Sequence, residues 1–218
     1  MVDDGYMPHP IELELRGELH PTEVTRVRTA LFEAGFKHRD TTKRTMLMSF
    51  GRIGRIAEDN DAHIPDQETD IRCRITNGQA EIVVKLGGVH AHNRQEISIP
   101  ISPDQLGDFA RVVGAFNMLH KVGSRTTENF VRGEVTVSII FNKSGLTYIE
   151  LEKMSDEIRA ETDREELTQL AHELGITLWP GREAFMEFCT RVTEQDDWLF
   201  HGRNEDVQRF LEEAQKAC

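Results

Sequence analysis

The sequence predicts an α+β protein whose first two-thirds is an antiparallel strand assembly and whose tail is helical. Two observations carry that prediction. About eight short segments before residue 153 alternate apolar and polar side chains with a period of two. Helical periodicity is confined to a few capped segments, most of them after residue 155. So many strands exceed what a small βαβ unit holds.

The elements follow in order. In IELELR, Ile11, Leu13 and Leu15 share one face, and Glu12, Glu14 and Arg16 share the other. A helix is expected over residues 22–34, stopped by Gly35. Strands are expected at 45–51, at 70–75, where Ile71, Cys73 and Ile75 oppose Arg72 and Arg74, and at 80–86. Around residues 94–99, Ile97 and Ile99 oppose Arg94, Glu96 and Ser98. Ser102-Pro103-Asp104-Gln105 is a capping box that leads Leu106, Phe109, Ala110, Val113 and Phe116 onto one helical stripe. Strands follow at 120–131, 134–139 and 148–152, the last with Tyr148, Glu150 and Glu152 opposite Ile149 and Leu151. Thr162-Asp163-Arg164-Glu165 reads as a second capping box, ahead of Leu167, Leu170, Ala171 and Leu174, with Gly175 as C-cap. Helices are expected at 181–193 and 204–216, with a loop around 196–202 between them. The division is therefore a strand-rich domain over 1–175 and a helical extension over 176–218 packed on it.

Charge narrows the function classes. The 218 residues hold 26 Lys+Arg and 38 Asp+Glu, a formal charge of −12. That balance argues against non-specific nucleic-acid binding and against anionic membrane, both of which reward positive charge. No apolar run approaches the roughly 20 residues of a membrane span, and MVDDGYMPHP does not read as a signal peptide. Cys73, Cys189 and Cys218 are too few and too scattered for a disulfide framework or a thiolate zinc site, which suits a reducing cytoplasm. Residues 153–218 hold eight basic and 16 acidic side chains, so the excess acid sits mainly in the tail.

Two architectures fit the alternation. One is a sandwich whose charged faces meet solvent. The other is a closed antiparallel barrel whose polar faces line a lumen and whose apolar faces are covered by helices outside. The residues alone leave both open.

The chemistry lies in how the charges are ordered. Glu12/Glu14 and Glu150/Glu152 each put two carboxylates on one strand face, and four such groups side by side repel unless a cation joins them. Mg²⁺ and Mn²⁺ take oxygen ligands of this kind. Basic residues lie between: Arg16, Arg72, Arg74, Lys85, Arg94, Lys121 and Arg125. Guanidinium forks match phosphate oxygens, and Lys supplies a point charge. Acid at one wall and base at the other make a site for a polyphosphate.

These residues resemble the CYTH superfamily, the triphosphate tunnel metalloenzymes. Its opening Glu-x-Glu-x-Lys strand is matched by Glu12-Leu13-Glu14-Leu15-Arg16, with Arg in place of Lys. DIRCRITNGQAEIVVK is similar to its Arg-x-Arg strand, Gly turn and Lys-ended strand, through Arg72, Arg74, Gly78 and Lys85. Arg94-Gln95-Glu96, the spaced Lys121 and Arg125, and Glu150-Leu151-Glu152 complete the order over residues 11–175. The Asp often found before the last Glu-x-Glu has no match here, Asn142 being nearest, and residues 43–70 lack the usual aromatic-Asp pattern. The resemblance implies an eight-stranded antiparallel tunnel with helices outside and a triphosphate-containing small molecule as ligand. It implies Glu12, Glu14, Glu150 and Glu152 as metal ligands, with Glu96 a further candidate, and Mg²⁺ or Mn²⁺ as the ion. Catalytic roles are expected at Glu12, Glu14, Arg16, Arg72 and Arg74, and phosphate contacts at the seven basic residues. The expected activity is metal-dependent triphosphate hydrolysis; class IV adenylyl cyclase chemistry and a non-catalytic polyphosphate-binding module are the alternatives. A homodimer is compatible with all three.

Other features are read blandly. His90 and His92 in GGVHAHN are taken as a solvated turn, Gly51–Gly54 and Gly87-Gly88 as turns, Trp179 and Trp198 as core anchors, and Asp196-Asp197 as an acidic turn without a metal role.

Overall fold

A computed structural model describes residues 11–53, 67–86, 95–156 and 158–218. Arg94, His90, His92, Gly54, Gly87 and Gly88 lie outside the described residues.

The strands are β1 (Ile11–Glu18), β2 (Lys37–Ile53), β3 (Gln67–Thr76), β4 (Gln79–Leu86), β5 (Gln95–Ile101), β6 (Leu119–Arg132), β7 (Val135–Asn142), β8 (Thr147–Ser155) and β9 (Trp198–Leu199). Eight of them form one antiparallel sheet in the order β1-β8-β7-β6-β2-β3-β4-β5. Side chains from both ends of that path face one cavity, so the sheet curls into a tunnel with its polar faces inward. Among the described residues β1 and β5 do not pair, and the ladder is open at that seam. The hairpin between β3 and β4 turns on Asn77 and Gly78, both with positive φ, as a two-residue turn of the twist-matching type requires.

The helices are α1 (Val24–Glu33), α2 (Leu106–Gly114), α3 (Ala160–Glu173), α4 (Arg182–Gln195) and α5 (Asn204–Gln215). They divide the outer face of the tunnel. Val27 and Leu31 of α1 and Leu167 and Leu170 of α3 cover Leu13, Val137, Ile149 and Leu151. Leu106 and Ala110 of α2 and Val207 and Phe210 of α5 cover Leu47, Cys73, Ile75 and Val122. Leu151 therefore faces outward into a helical layer while its neighbours Glu150 and Glu152 face the lumen. On β5 the cover reaches only one end: Ile101 packs against the second layer, while Ile97 and Ile99 are exposed.

Four local expectations need correction. The second capping box does not start its helix, because α3 already runs from Ala160; Asp163 is instead buried, held by Lys153 at 2.6 Å and by Ser155. Thr162, the expected cap, already lies inside α3, and the acid beside it pairs with a cation of β8. Phe116 lies beyond the end of α2 and is exposed, so it leaves the apolar stripe. Gly51 sits inside β2 rather than in a turn. The loop expected at 196–202 contains β9, whose Trp198 and Leu199 pair with Val122 and Lys121.

Candidate active site

The inward faces of the eight strands enclose a cavity of about 750 Å³. Each described residue singled out from the sequence lines it: Glu12, Glu14, Arg16, Arg72, Arg74, Lys85, Glu96, Lys121, Arg125, Glu150 and Glu152. Alternation does this, since every one sits on the polar face of its strand.

The acid end is built by the first and last long strands. In the β1–β8 register Glu14 lies opposite Glu152 and Arg16 opposite Glu150. Carboxylate oxygens of Glu14, Glu150 and Glu152 all fall within 4.8 Å of one another. Glu12 and Glu96 line the same cavity but stand outside that trio. Arg16 is the fixed cation of the cluster, bonded to Glu14 and, through Nε, to Glu150 at 3.0 Å. Burial and the neighbouring Glu150 hold the Glu14 carboxyl well above the usual carboxylate range. Burial, then Glu150 and Glu12, push Glu152 up to about 8. Burial also raises Glu150, but the charge of Arg16, the hydrogen bonds from Glu14 and Arg16, and Arg125 together outweigh it, and Glu150 is held below its ordinary value. Burial would lower Arg16, yet Glu14 and Glu150 together hold it above its ordinary range. Three half-buried carboxylates converging within reach of one ion, two of them held above the usual carboxylate range, have the donor chemistry of a hard divalent ion.

The basic wall faces them, and most of its cations are already paired. The Nε/Nη2 edge of Arg72 rests on the fully buried Asp70. Arg74 Nε bonds Glu81 at 2.7 Å, and Lys85 bonds Glu96 at 2.6 Å. Glu96 is thus committed to cations, and its carboxyl is lowered: Lys85, Arg74 and Arg72 outweigh the burial that would raise it. Lys121 bonds Asp197 at 2.9 Å.

Two lumen-facing strand arginines bond no carboxylate among the described residues. Arg125 donates through Nη1 to Tyr148 at 3.0 Å, and its buried Nε has no acceptor. Arg44 donates only to Thr76 at 3.0 Å. These two lie directly opposite each other in the β2–β6 register. Burial first, then Arg74 and Arg72, pull the Arg44 guanidinium below its ordinary range, the mark of uncompensated positive charge.

Sequence reasoning missed Arg44, and the reason is visible in β2. Thr45, Met46, Leu47, Met48 and Ser49 are all buried, since one face packs under α2 and α5 while the other faces the lumen. A strand buried on both sides shows no clean alternation. It also missed the tail. Trp179, Arg182, Phe185, Phe188, Cys189 and Val192 line the cavity, and Phe188 and Val192 pack on the lumen-facing Ile140 and Tyr148. Trp179 stacks on Tyr148 with ring centroids 6.2 Å apart, and its backbone N–H donates to Arg16 O at 2.9 Å. Trp179 is therefore wall as much as core, whereas Trp198 packs in the outer core. An aromatic pattern in a helical tail carries no signal that distinguishes the two.

No protein-family model matches the sequence, and no curated protein matches it. Solved structures do. The PH1012 protein of Pyrococcus horikoshii superposes with a TM-score of 0.60 at 12% identity, covering 79% of this chain and 96% of its own. A candidate adenylate cyclase of Vibrio parahaemolyticus gives 0.60 at 14% identity, covering 83% and 98%. This chain has the CYTH fold. The PH1819 protein of P. horikoshii shares the CYTH fold with it, at a TM-score of 0.58 and 18% identity over 83% of this chain and 99% of that one. Among the described residues no helix of this CYTH-fold chain is long and apolar enough to cross a membrane.

Proposed function

We propose that the protein hydrolyses a triphosphate-containing small molecule with the help of Mg²⁺ or Mn²⁺. One observation carries the reading: a trio of clustered carboxylates, two of them held above the usual carboxylate range, shares its cavity with two opposed arginines that bond no carboxylate among the described residues. A site that only needed to balance its own charges would pair Arg44 and Arg125 as it pairs Arg72 and Arg74. Glu14, Glu150 and Glu152 would hold the ion, and Glu12 lies close enough to raise Glu152. When bound, the ion neutralises phosphate oxygens and lowers the pKa of attached water.

The chain's own groups do the rest. Arg44 and Arg125 offer guanidinium edges to phosphate oxygens, and charge-assisted pairs of that kind are among the strongest in proteins. Arg72 and Arg74, fixed by Asp70 and Glu81, keep the wall positive without moving. Arg16 holds Glu150 ionised and therefore ready as an oxygen donor. Phosphoryl transfer needs positioning and charge stabilisation more than a side-chain nucleophile, and this lumen supplies both. The test is a product assay on tripolyphosphate, thiamine triphosphate and ATP with either ion. Phosphate release is expected, cyclic AMP from ATP would install the cyclase reading, and tight binding without product would install the binding module.

A further inference from the structure

Lys121, Gly123 and Arg125 alternate onto the lumen face of β6, so two cations flank a residue with no side chain. The gap is filled from the tail. A Cβ built at Gly123 would stand 2.2 Å from Asp197 Oδ1, so the Asp197 carboxylate occupies the space a side chain there would take. That carboxylate is almost fully buried and bonds Lys121 at 2.9 Å, while Lys121 also donates to Thr193 of α4 at 2.8 Å. Asp197 also contributes to holding the Arg125 guanidinium charged. Its position is fixed on both sides: its N–H bonds Val192 O at 3.1 Å, and β9 begins at the next residue. Successive inward positions on a strand are about 6.6 Å apart, so Lys121 and Arg125 stand about 13 Å apart along β6 and Asp197 sits between them.

We propose that Asp197 is a built-in anion that ends the row of phosphate subsites, and so sets the length of phosphate chain the tunnel accepts. The inference rests on the triphosphate reading and extends it to specificity. A carboxylate already in place repels any phosphoryl group that reaches past Arg125, and it occupies the ammonium that would have received one. A triphosphate stops short of Asp197, and longer chains meet it.

The experiment measures binding of inorganic tripolyphosphate and tetrapolyphosphate by calorimetry in Mg²⁺, at one ionic strength, for the parent, Asp197→Asn and Gly123→Ala. The parent is expected to bind tetrapolyphosphate no more tightly than tripolyphosphate, despite the greater charge of the longer chain. Asp197→Asn removes the charge at constant shape, and Gly123→Ala expels the carboxylate sterically. Both should raise affinity for tetrapolyphosphate relative to tripolyphosphate by about tenfold, the scale of one charge-assisted hydrogen bond. If both variants shift the two affinities by the same factor, Asp197 is a structural ion-pair partner and the inference falls. Should neither variant fold, the parent still decides, since tighter binding of the longer chain overturns the inference. A parent that binds neither chain removes the triphosphate reading itself, whereas a parent that binds tripolyphosphate with no cut-off in length removes the Asp197 inference alone.

Discussion

Glu152 and Glu14 hold protons where an exposed carboxylate would not, and the sign of the consequence follows. In the unfolded chain Glu152 ionises near 4.5, while in the fold it does so only at about 8. Between those values the folded state binds more protons, so stability of the metal-free protein falls as pH rises through that window. A divalent ion that replaces the protons reverses the trend. Melting curves from pH 5 to 8 should show a falling Tm in chelator, a Tm increment from Mn²⁺ that grows with pH, and a flatter slope in Glu152→Gln. The same variant should lose turnover by at least about 100-fold, as when a charge-stabilising group is removed from a transition state. Arg44 makes an opposite prediction for stability. Its charge is uncompensated, so Arg44→Gln should raise the ligand-free Tm by about 2–4 °C, the response to roughly 1 kcal/mol in a chain this size, while weakening tripolyphosphate binding about tenfold. Residues of this kind differ in how visibly they announce themselves. Glu14, Arg72 and Glu150 alternate with apolar neighbours that leave for an outer core, so their shared face can be read from spacing. Arg44 precedes a run buried on both sides, and Asp197 sits in what reads as a hydrophilic turn, because nothing local records that a glycine 74 positions earlier leaves room for it.

At the scale of elements, the tunnel strands and the tail helices were legible, and what each tail helix packs on was not. β1, β3, β7 and β8 fall where alternation put them, since one face meets a helix and the other a charged lumen. The helices at 182–195 and 204–215 were visible too, but periodicity says which face is apolar and not what it packs on. That separates the two ends of the tail. Phe210 of α5 is fully buried beneath the outer face of β2, β3 and β6, among Leu47, Cys73 and Val122. Phe210→Ala should therefore cost about 3–5 kcal/mol in urea denaturation, with one cooperative transition retained. Met186 of α4, which is exposed, is the control: Met186→Ala should stay within about 0.5 kcal/mol. A Phe210 variant that unfolded in two steps would instead mark the tail as a separate unit.

For the molecule as a whole, ligand and fold share one cavity, so binding should appear as global stability. At a tripolyphosphate concentration about 100-fold above Kd the linkage gives roughly 2.7 kcal/mol, or about 5–11 °C in Tm at this length, and the increment should shrink when Mn²⁺ is withheld. The residues alone left a sandwich and a curled sheet both open; it was the resemblance carried by Glu-x-Glu at both ends of the strand region, with basic residues between, that implied the tunnel. What spacing could not convey is that the seam between β1 and β5 carries no ladder among the described residues, because register is a property of pairs of strands and not of either alone. The pairing of β1 with β8 has a further consequence, for the order in which the protein comes into being. A ribosome releases about 5–20 residues each second, and Glu14 is on its way out long before Glu150 and Glu152 have been decoded. Through that interval the first strand has no partner and the acid trio does not exist. A divalent ion held as proposed by that trio would therefore select the finished tunnel and would not nucleate it.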